Sequence, residues 1–175
     1  MIKRKVSPAS LKNGLVIREI EAGEEFEVSR LVDRVFMEFI APIFSNRGTH
    51  EVRRYAKAER LKERLEEGCF ILLALWKGQI VGMIEVKEEG HISLLFVDGE
   101  YQGKGIARKL INAAVKRCLK IDPFLKVVSV NSAPNSVKFY KKLGFVPTHS
   151  QRIQNGVRYV PMELEVNAEL NLICR

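Results

Sequence analysis

Two glycines stand between Gln102 and Ala107, directly after an apolar segment that ends at Val97. Gly103 and Gly105 lack side chains, so the backbone of such a turn can approach a phosphate closely. The residues that follow have helical periodicity, and the N-terminus of a helix offers free N–H groups and a positive dipole end to an anion. The predicted anion-binding residues are Gln102, Gly103, Lys104, Gly105, Ile106 and Ala107.

Two familiar phosphate-binding motifs do not fit this turn. The dinucleotide-binding motif has a third glycine and opens a βαβ unit, whereas the segments before this turn read as a meander of short strands. A Walker loop requires Ser or Thr after its lysine, but Gly105 follows Lys104. A glycine-rich turn with a purely structural role fits the pattern equally well, so the surrounding elements have to decide.

The apolar patterns before the turn predict a strand, two helices and an antiparallel meander. Pro42 ends the first helix, and the second, charged helix ends before Gly68. Short apolar runs joined by turn residues then predict three antiparallel strands. These predicted elements are a strand at Leu15–Ile20, a helix from Glu24, a loop at Ala41–Thr49, a helix at Glu51–Glu66, and strands at Cys69–Trp76, Gln79–Lys87 and His91–Val97.

Helices and strands alternate after the turn. The predicted elements are a helix at Gly105–Leu119, a strand at Lys126–Val130, a helix at Ser136–Leu143, and strands at Phe145–His149 and Val157–Val166. This order predicts an α/β fold with a mixed, mostly antiparallel central sheet and helices on both faces. We expect residues 14–175 to form a single domain, preceded by a flexible basic arm at residues 1–13.

The turn resembles the coenzyme A motif of the GNAT N-acetyltransferases, Gln/Arg-x-x-Gly-x-Gly/Ala. Gln102, Gly105 and Ala107 match its three fixed places. A second resemblance follows about thirty residues downstream, where a Val-Asn-Ser strand precedes a Tyr-x-x-x-Gly-Phe segment that begins at Tyr140. The resemblance covers Ile71 to Phe145 and implies an acyltransferase of the GNAT superfamily, with the fold of that family.

The resemblance also implies how acetyl-coenzyme A would be held. The strand residues that would pair with its pantetheine arm are Leu95, Phe96 and Val97. Asn131 matches the polar residue that bonds the pantetheine amides, and Tyr140 matches the tyrosine that protonates or hydrogen-bonds the sulfur. The chain departs from the family at Gly99, where proline is common, and at Ala107, where a second glycine is common.

The sequence offers three candidates for the general base, which are His91, Glu85 and water. His91 stands where several members of the family carry a glutamate, eleven residues before Gln102, and a histidine titrates near neutral pH. Glu85 is the competitor, because alternation along its strand places it either in a cleft or toward solvent. A lone histidine or glutamate is also common on a protein surface.

In the resembled family the acceptor is chosen by the first two helices, their loop and the last strand pair. Those elements correspond here to Phe36–Thr49, with neighbouring His50, and to the hairpin Gln151–Tyr159. Their aromatic and polar residues suit a small amine or a peptide or protein amine, without choosing between them. The apolar residues of Asn167–Arg175 make a homodimer conceivable.

Composition bears on whether the chain binds metal, spans a membrane or carries a signal peptide. The three cysteines and three histidines are scattered in sequence, so we expect reduced thiols and no metal site. No apolar run approaches the roughly 20 residues of a membrane span, and the basic N-terminus lacks the apolar core of a signal peptide. We therefore expect a cytoplasmic protein without a membrane partner.

Two alternative functions keep the same sequence features. A coenzyme A-binding sensor would retain the cofactor site without turnover. The formal net charge of +8 also suits a nucleic-acid-binding protein, but the aromatics are not interleaved with arginines as a stacking platform requires. We therefore expect no nucleic-acid partner.

Overall fold

The computed structural model describes residues 14–87 and 89–166. An antiparallel meander forms its first half, and β2 is buried along its whole length because both of its faces are covered. The strands of this meander are β1 (Leu15–Glu19), β2 (Phe70–Trp76), β3 (Gln79–Val86) and β4 (His91–Val97).

The second half of the chain extends the same sheet. Its strands are β5 (Val127–Ser132), β6 (Val146–Pro147), β7 (Arg152–Gln154) and β8 (Val157–Glu165). The strand order is β1-β2-β3-β4-β5-β8-β6, with β7 paired to β8, and among the described strands only β4 and β5 run parallel. The Asn155-Gly156 turn joins β7 to β8 with both residues at positive φ, as a tight hairpin requires.

Helices cover both faces of the sheet. One face packs on α1 (Glu25–Phe39), α2 (Asn46–Tyr55) and α3 (Ala58–Glu66), and the other packs on α4 (Ile106–Ile121) and α5 (Val137–Lys141). Each face has its own apolar core, with Phe36 and Leu61 in the first and Leu110 and Phe145 in the second. The predicted mixed sheet with helices on both faces is confirmed.

The prediction of a single helix over Glu51–Glu66 was wrong. α2 begins at Asn46 and ends at Tyr55, and α3 begins after Lys57, which has extended backbone angles. The Tyr55 carbonyl accepts a hydrogen bond of 2.9 Å from the Arg64 guanidinium. A side chain of the next helix thus satisfies a carbonyl at the end of α2, where intrahelical partners run out.

Other element boundaries also differ from the prediction. The predicted loop at Ala41–Thr49 contains a short 3-10 turn at Ala41–Ile43 and the first turn of α2, capped by the Ser45 hydroxyl. The predicted strand at Phe145–His149 is only two residues long, whereas the predicted hairpin at Gln151–Tyr159 is present as β7 and the start of β8. The N-terminal arm at 1–13 and the dimerisation segment at Asn167–Arg175 lie outside the described residues.

Two further observations concern the described residues only. None of the helices within 14–87 and 89–166 combines the length and apolarity needed to cross a membrane. Cys69 and Cys118 are both free thiols.

Candidate active site

In the described residues, the parallel strands β4 and β5 pair only where β4 begins, opposite the middle of β5. His91 lies opposite Ser129, and Ile92 lies opposite Val130. No further pair joins the two strands in the described part of the chain, so they diverge toward their C-terminal ends. The rest of β4 therefore has a backbone edge without a partner strand on the β5 side.

A bulge in β4 lies at the point of divergence. Glu85 of β3 pairs with Leu94, whereas the next residue, Val86, pairs with Ile92, so Ser93 is the extra residue. A bulge bends its strand and increases the local twist. The sequence offered no signal for it beyond a single serine in an apolar run.

A cavity of about 830 Å³ passes through the gap between the two strands. One end, which we call the Tyr140 side, is lined by Ile92, Val130 and Tyr140 and belongs to the sheet face that α4 and α5 cover. The other end, which we call the Tyr55 side, is lined by α2, α3 and the β7–β8 hairpin. Two molecules bound from opposite faces would meet inside the sheet.

The glycine-rich turn follows β4 directly. The Gln102 amide donates 2.9 Å to the Val97 carbonyl, which ties the turn to the end of the strand. Gly103 and Gly105 have φ of 72° and 81°, and a Cβ at either position would have no atom within 4 Å. Gly105 is the N-cap of α4, so the first N–H groups of that helix lack intrahelical partners. The turn thus has the open surroundings and free N–H groups that an anion would need, and its binding of an anion stays a prediction.

Ile106, Ala107 and Lys104, the other residues of the motif, fix the turn through packing and through one hydrogen bond. Ile106 is buried in the core under α4, and Ala107 packs against the same core. The Lys104 ammonium donates to the Glu100 carbonyl and lies 5.5 Å from the centre of the Tyr101 ring. Lys104 is thus held beside the turn, where its charge favours an anionic ligand.

Tyr140 projects from α5 into the cavity. Its ring packs edge to face on Phe139 and Phe145, with centroids 5.1 Å and 5.3 Å away. No hydrogen bond joins its hydroxyl to another described residue. Burial raises the pKa of Tyr140 well above its ordinary value, so the phenol keeps its proton at neutral pH.

The predicted strand residues lie along the diverging edge of β4. Phe96 and Val97 are buried, Leu95 is half-buried, and Leu95 and Phe96 line the cavity. Asn131 faces them from β5, where it is exposed and also lines the cavity. An extended ligand between the strands would find backbone groups on one side and a polar side chain on the other.

Glu85 is fully buried, so the expected alternative of a solvent-facing carboxylate is wrong. Its two oxygens accept hydrogen bonds of 2.9 Å and 2.8 Å from Arg64, and the Tyr55 hydroxyl donates to it over 3.3 Å. Glu85 does not line the cavity, whereas its partners Tyr55 and Arg64 do. The carboxyl group of Glu85 is thus the centre of a buried network that joins β3 to α2 and α3.

His91 lies at the paired base of β4 and β5. Its Nδ1 is 2.8 Å from the Ser129 hydroxyl, and burial together with nearby Lys87 lowers the pKa of the ring. The imidazole is therefore neutral at pH 7, which suits a proton acceptor. It is not among the residues that line the cavity, so a proton would reach it only through water.

The sequence model of an acetyltransferase (GNAT) domain matches residues 40–166. The chain belongs to the GNAT acetyltransferase family. It is accordingly an acyltransferase, and the resemblance found in the two sequence motifs is confirmed.

Solved GNAT structures share the fold at low identity. A GCN5-related N-acetyltransferase from Rhodopseudomonas palustris aligns with TM-score 0.76 and 19% identity, over 88% of this chain and 97% of its own. The PaiA N-acetyltransferase from Thermoplasma acidophilum, in complex with coenzyme A, has TM-score 0.70 and 19% identity, over 87% and 99%. YncA from Salmonella typhimurium, with its cofactor acetyl-CoA, has TM-score 0.65 and 18% identity, over 89% and 95%.

In this GNAT protein, α2 and the β7–β8 hairpin meet above the Tyr55 side. The Ser45 hydroxyl donates 3.2 Å to the Gly156 carbonyl, and Arg47 donates 3.4 Å to the Asn155 side chain. A Cβ on Gly48 would lie 2.2 Å from the Gly156 oxygen, so only glycine permits this contact. The two segments expected to choose the acceptor are therefore in direct contact.

The other residues expected to choose the acceptor have different positions. Phe36 and Phe44 line the cavity, and their rings pack edge to face at 5.8 Å. Phe39 lies against Gly99, where a Cβ would be 3.0 Å from its ring, which gives a packing reason for glycine instead of proline there. His50 is exposed and does not line the cavity.

Three residues of the Tyr55 side were missed by the sequence reasoning. Tyr55, Arg64 and Ser93 all line the cavity. Tyr55 and Arg64 fall in a segment that reads as a charged surface helix, so no pattern distinguishes them. Ser93 offered a weak signal, as a lone polar residue in the run Ile92–Val97.

Proposed function

We propose that this protein transfers the acetyl group of acetyl-coenzyme A directly to a primary amine, with both substrates bound at once. The observation that carries the proposal is the cavity through the sheet. It joins the sheet face that α4 and α5 cover to the face that α2 and α3 cover, so a donor and an acceptor can meet without a covalent enzyme intermediate.

The cofactor pose follows from the groups on the Tyr140 side. The pyrophosphate would bind the backbone N–H groups of residues 102–107 at the start of α4. The pantetheine arm would lie along the free edge of Leu95, Phe96 and Val97, with Asn131 bonding its amides from β5. The thioester would then lie next to the Tyr140 hydroxyl. Coenzyme A or acetyl-CoA in solved relatives with this fold supports this pose.

The proposed chemistry is a direct displacement at the thioester. The neutral amine attacks the carbonyl carbon, the C–N bond forms, and the C–S bond breaks to release the coenzyme A thiolate. Tyr140 donates its proton to that sulfur, a role supported by a phenol that is protonated and free of other partners. The ammonium proton leaves through water, and the tyrosine is then reprotonated.

His91 stays the candidate for the base that receives this proton, through a water chain. Its lowered pKa supports acceptance at neutral pH. For Glu85 we propose a positioning role instead, because Arg64 occupies both of its oxygens. The acceptor is an amine, either small or at a peptide or protein.

Calorimetric titration with acetyl-coenzyme A tests the cofactor site. We expect the wild type to bind, and Gly105→Glu to weaken binding by at least about a hundredfold, since a carboxylate next to a phosphate costs several kcal/mol. Gly78→Glu is the matched control. Gly78 has φ of 79° and the same open surroundings, but it lies in the β2–β3 turn, so it carries the same backbone strain without the charge at the site.

A panel of amines, assayed by thiol release, then tests the transfer. Turnover with any amine supports the enzyme, and binding without turnover on a broad panel would favour the sensor. A folded wild type that does not bind acetyl-coenzyme A would overturn the proposal.

A further inference from the structure

A short 3-10 turn, Gly99–Tyr101, lies between β4 and the glycine-rich turn. The chain is continuous here, so its direction at Tyr101 decides where the N–H groups of residues 102–107 point. Gly103 and Gly105 do not fix that direction themselves, because a Cβ at either position would meet no atom within 4 Å. The orientation of the glycine-rich turn therefore depends on the residues that flank it.

Asp98, the residue before the 3-10 turn, shapes it through both its side chain and its backbone. One carboxylate oxygen accepts a hydrogen bond of 2.9 Å from the Glu100 N–H, and the Asp98 carbonyl accepts one of 2.8 Å from the Tyr101 N–H. The Asp98 N–H donates 2.9 Å to the Val81 carbonyl, which anchors the residue to β3. A carboxylate that binds the backbone two residues further on stabilises a turn.

The second carboxylate oxygen of Asp98 is bound by a side chain of α1. The Arg34 guanidinium donates to it over 2.5 Å, although the two residues are 64 positions apart in the chain. The side chain of Asp98 is 15% exposed and that of Arg34 is 52% exposed, so the carboxylate is the more buried member of the pair. One oxygen thus shapes the turn, and the other ties it to a helix.

Phe39 provides a second contact between α1 and the 3-10 turn. A Cβ at Gly99 would lie 3.0 Å from the Phe39 ring, so the end of the helix packs directly on the backbone of the turn. Glycine has more backbone freedom than any other residue, and a turn that begins with Gly99 therefore gains more from an outside support. α1 holds this turn both by an ion pair and by packing.

We propose that Arg34 and Asp98 are positioning residues for acetyl-coenzyme A, which hold the N–H groups of the glycine-rich turn in the orientation that the pyrophosphate requires. The inference rests on the proposed acetyl transfer. Neither residue lines the cavity, and their effect passes through the backbone of Gly99–Tyr101. Groups that are in place before the ligand arrives raise its affinity, because less ordering then accompanies binding.

The charge of Asp98 distinguishes a positioning role from a direct electrostatic one. Coenzyme A is an anion, so a carboxylate in its neighbourhood opposes binding by repulsion. If Asp98 acted through its charge alone, Asp98→Ala would strengthen the binding of acetyl-coenzyme A. A positioning role predicts the opposite sign, because the turn loses a hydrogen bond that shapes it.

Calorimetric titration with acetyl-coenzyme A measures the sign and the size of these effects. We expect Asp98→Ala to weaken binding about tenfold, as loss of a charge-assisted hydrogen bond predicts. Asp98→Asn should weaken it only about threefold, because the amide oxygen can still accept from the Glu100 N–H. Arg34→Gln should also weaken binding about threefold, as for an exposed ion pair, but should have no further effect in the Asp98→Ala background.

Asp33→Asn is the matched control. Asp33 precedes Arg34 on α1 and pairs with Arg53 over 2.6 Å at the surface, but this partner belongs to α2 and not to the turn. We expect its affinity for acetyl-coenzyme A to equal that of the wild type. Urea denaturation of each variant separates a loss of stability from a loss of affinity, because the titration reports on the folded protein.

The outcomes keep this inference apart from the proposed function. A folded wild type without affinity for acetyl-coenzyme A overturns both. If the wild type binds and Asp98→Ala binds equally well or more tightly, the positioning role alone is overturned. A full further loss from Arg34→Gln in the Asp98→Ala background also overturns it, since Arg34 would then act through its own charge. Should Asp98→Ala fail to fold, equal affinities of Asp98→Asn, Arg34→Gln and the wild type would overturn the role.

Discussion

The two ends of the cavity are built in different ways. The Tyr140 side is formed by a strand edge and a buried phenol, and the glycine turn follows the same strand, all within about fifty residues of sequence. The Tyr55 side consists of side chains held by partners far along the chain. Tyr55 and Glu85 are 30 residues apart, and Ser45 and Gly156 are 111 apart.

The comparison contrasts a site built from backbone groups with a site built from a network of side chains. A backbone cradle depends on where glycines and helix starts fall, and it can be kept while most other residues change. A network of charged and hydroxyl groups depends on each partner. Substitutions should therefore be tolerated more widely at the proposed donor end than at the proposed acceptor end.

Removal of Arg64 should break the Tyr55 side most severely. Arg64→Met leaves the fully buried Glu85 without its counter-ion, and we expect a loss of about 3–5 kcal/mol in the free energy of unfolding. Urea denaturation measures this loss. Arg60→Met is the matched control, since Arg60 pairs with Glu63 at the surface and such pairs contribute little. Equal effects of the two substitutions would contradict a dominant role for the buried pair.

Removal of the Tyr140 hydroxyl should affect rate rather than stability. Tyr140→Phe keeps both ring contacts. The hydroxyl that it removes has no hydrogen-bond partner among the described residues. We expect kcat to fall about a hundredfold, as loss of a general acid predicts, while the affinity for acetyl-coenzyme A stays unchanged by calorimetry. An unchanged kcat would assign Tyr140 to packing alone.

The smallest effect concerns His91, which lies at the paired base of β4 and β5 and outside the cavity lining. Its folded-state pKa is below the ordinary 6.5, so the unfolded chain takes up this proton first as pH falls. The stability it contributes is present above pH 6.5 and is lost as pH falls through the folded-state value. As the pH falls from about 7 to about 5, the melting temperature of the wild type should fall below that of His91→Gln, by up to about 3 °C. Parallel melting curves would show that the ring is not desolvated.

The fold was predictable where the pattern was local. The meander followed from short apolar runs and tight turns, and α4 followed from the turn before it. The break between α2 and α3 was not predictable, because it depends on the Arg64 guanidinium reaching the Tyr55 carbonyl. The β7–β8 hairpin was predictable from its Asn155-Gly156 turn, although β7 is short and exposed and is a strand only through its pairing with β8.

The site divides along the same line. The sequence by itself determined the glycine turn at Gly103 and Gly105, because backbone conformation and helix polarity are local properties. It also indicated Tyr140 through the motif around it. Only the tertiary structure decided that Glu85 is buried and paired and that Ser93 is the extra residue of a bulge. Burial and pairing are properties of the folded chain, since a charged or hydroxyl side chain acquires its partners only when distant segments pack together.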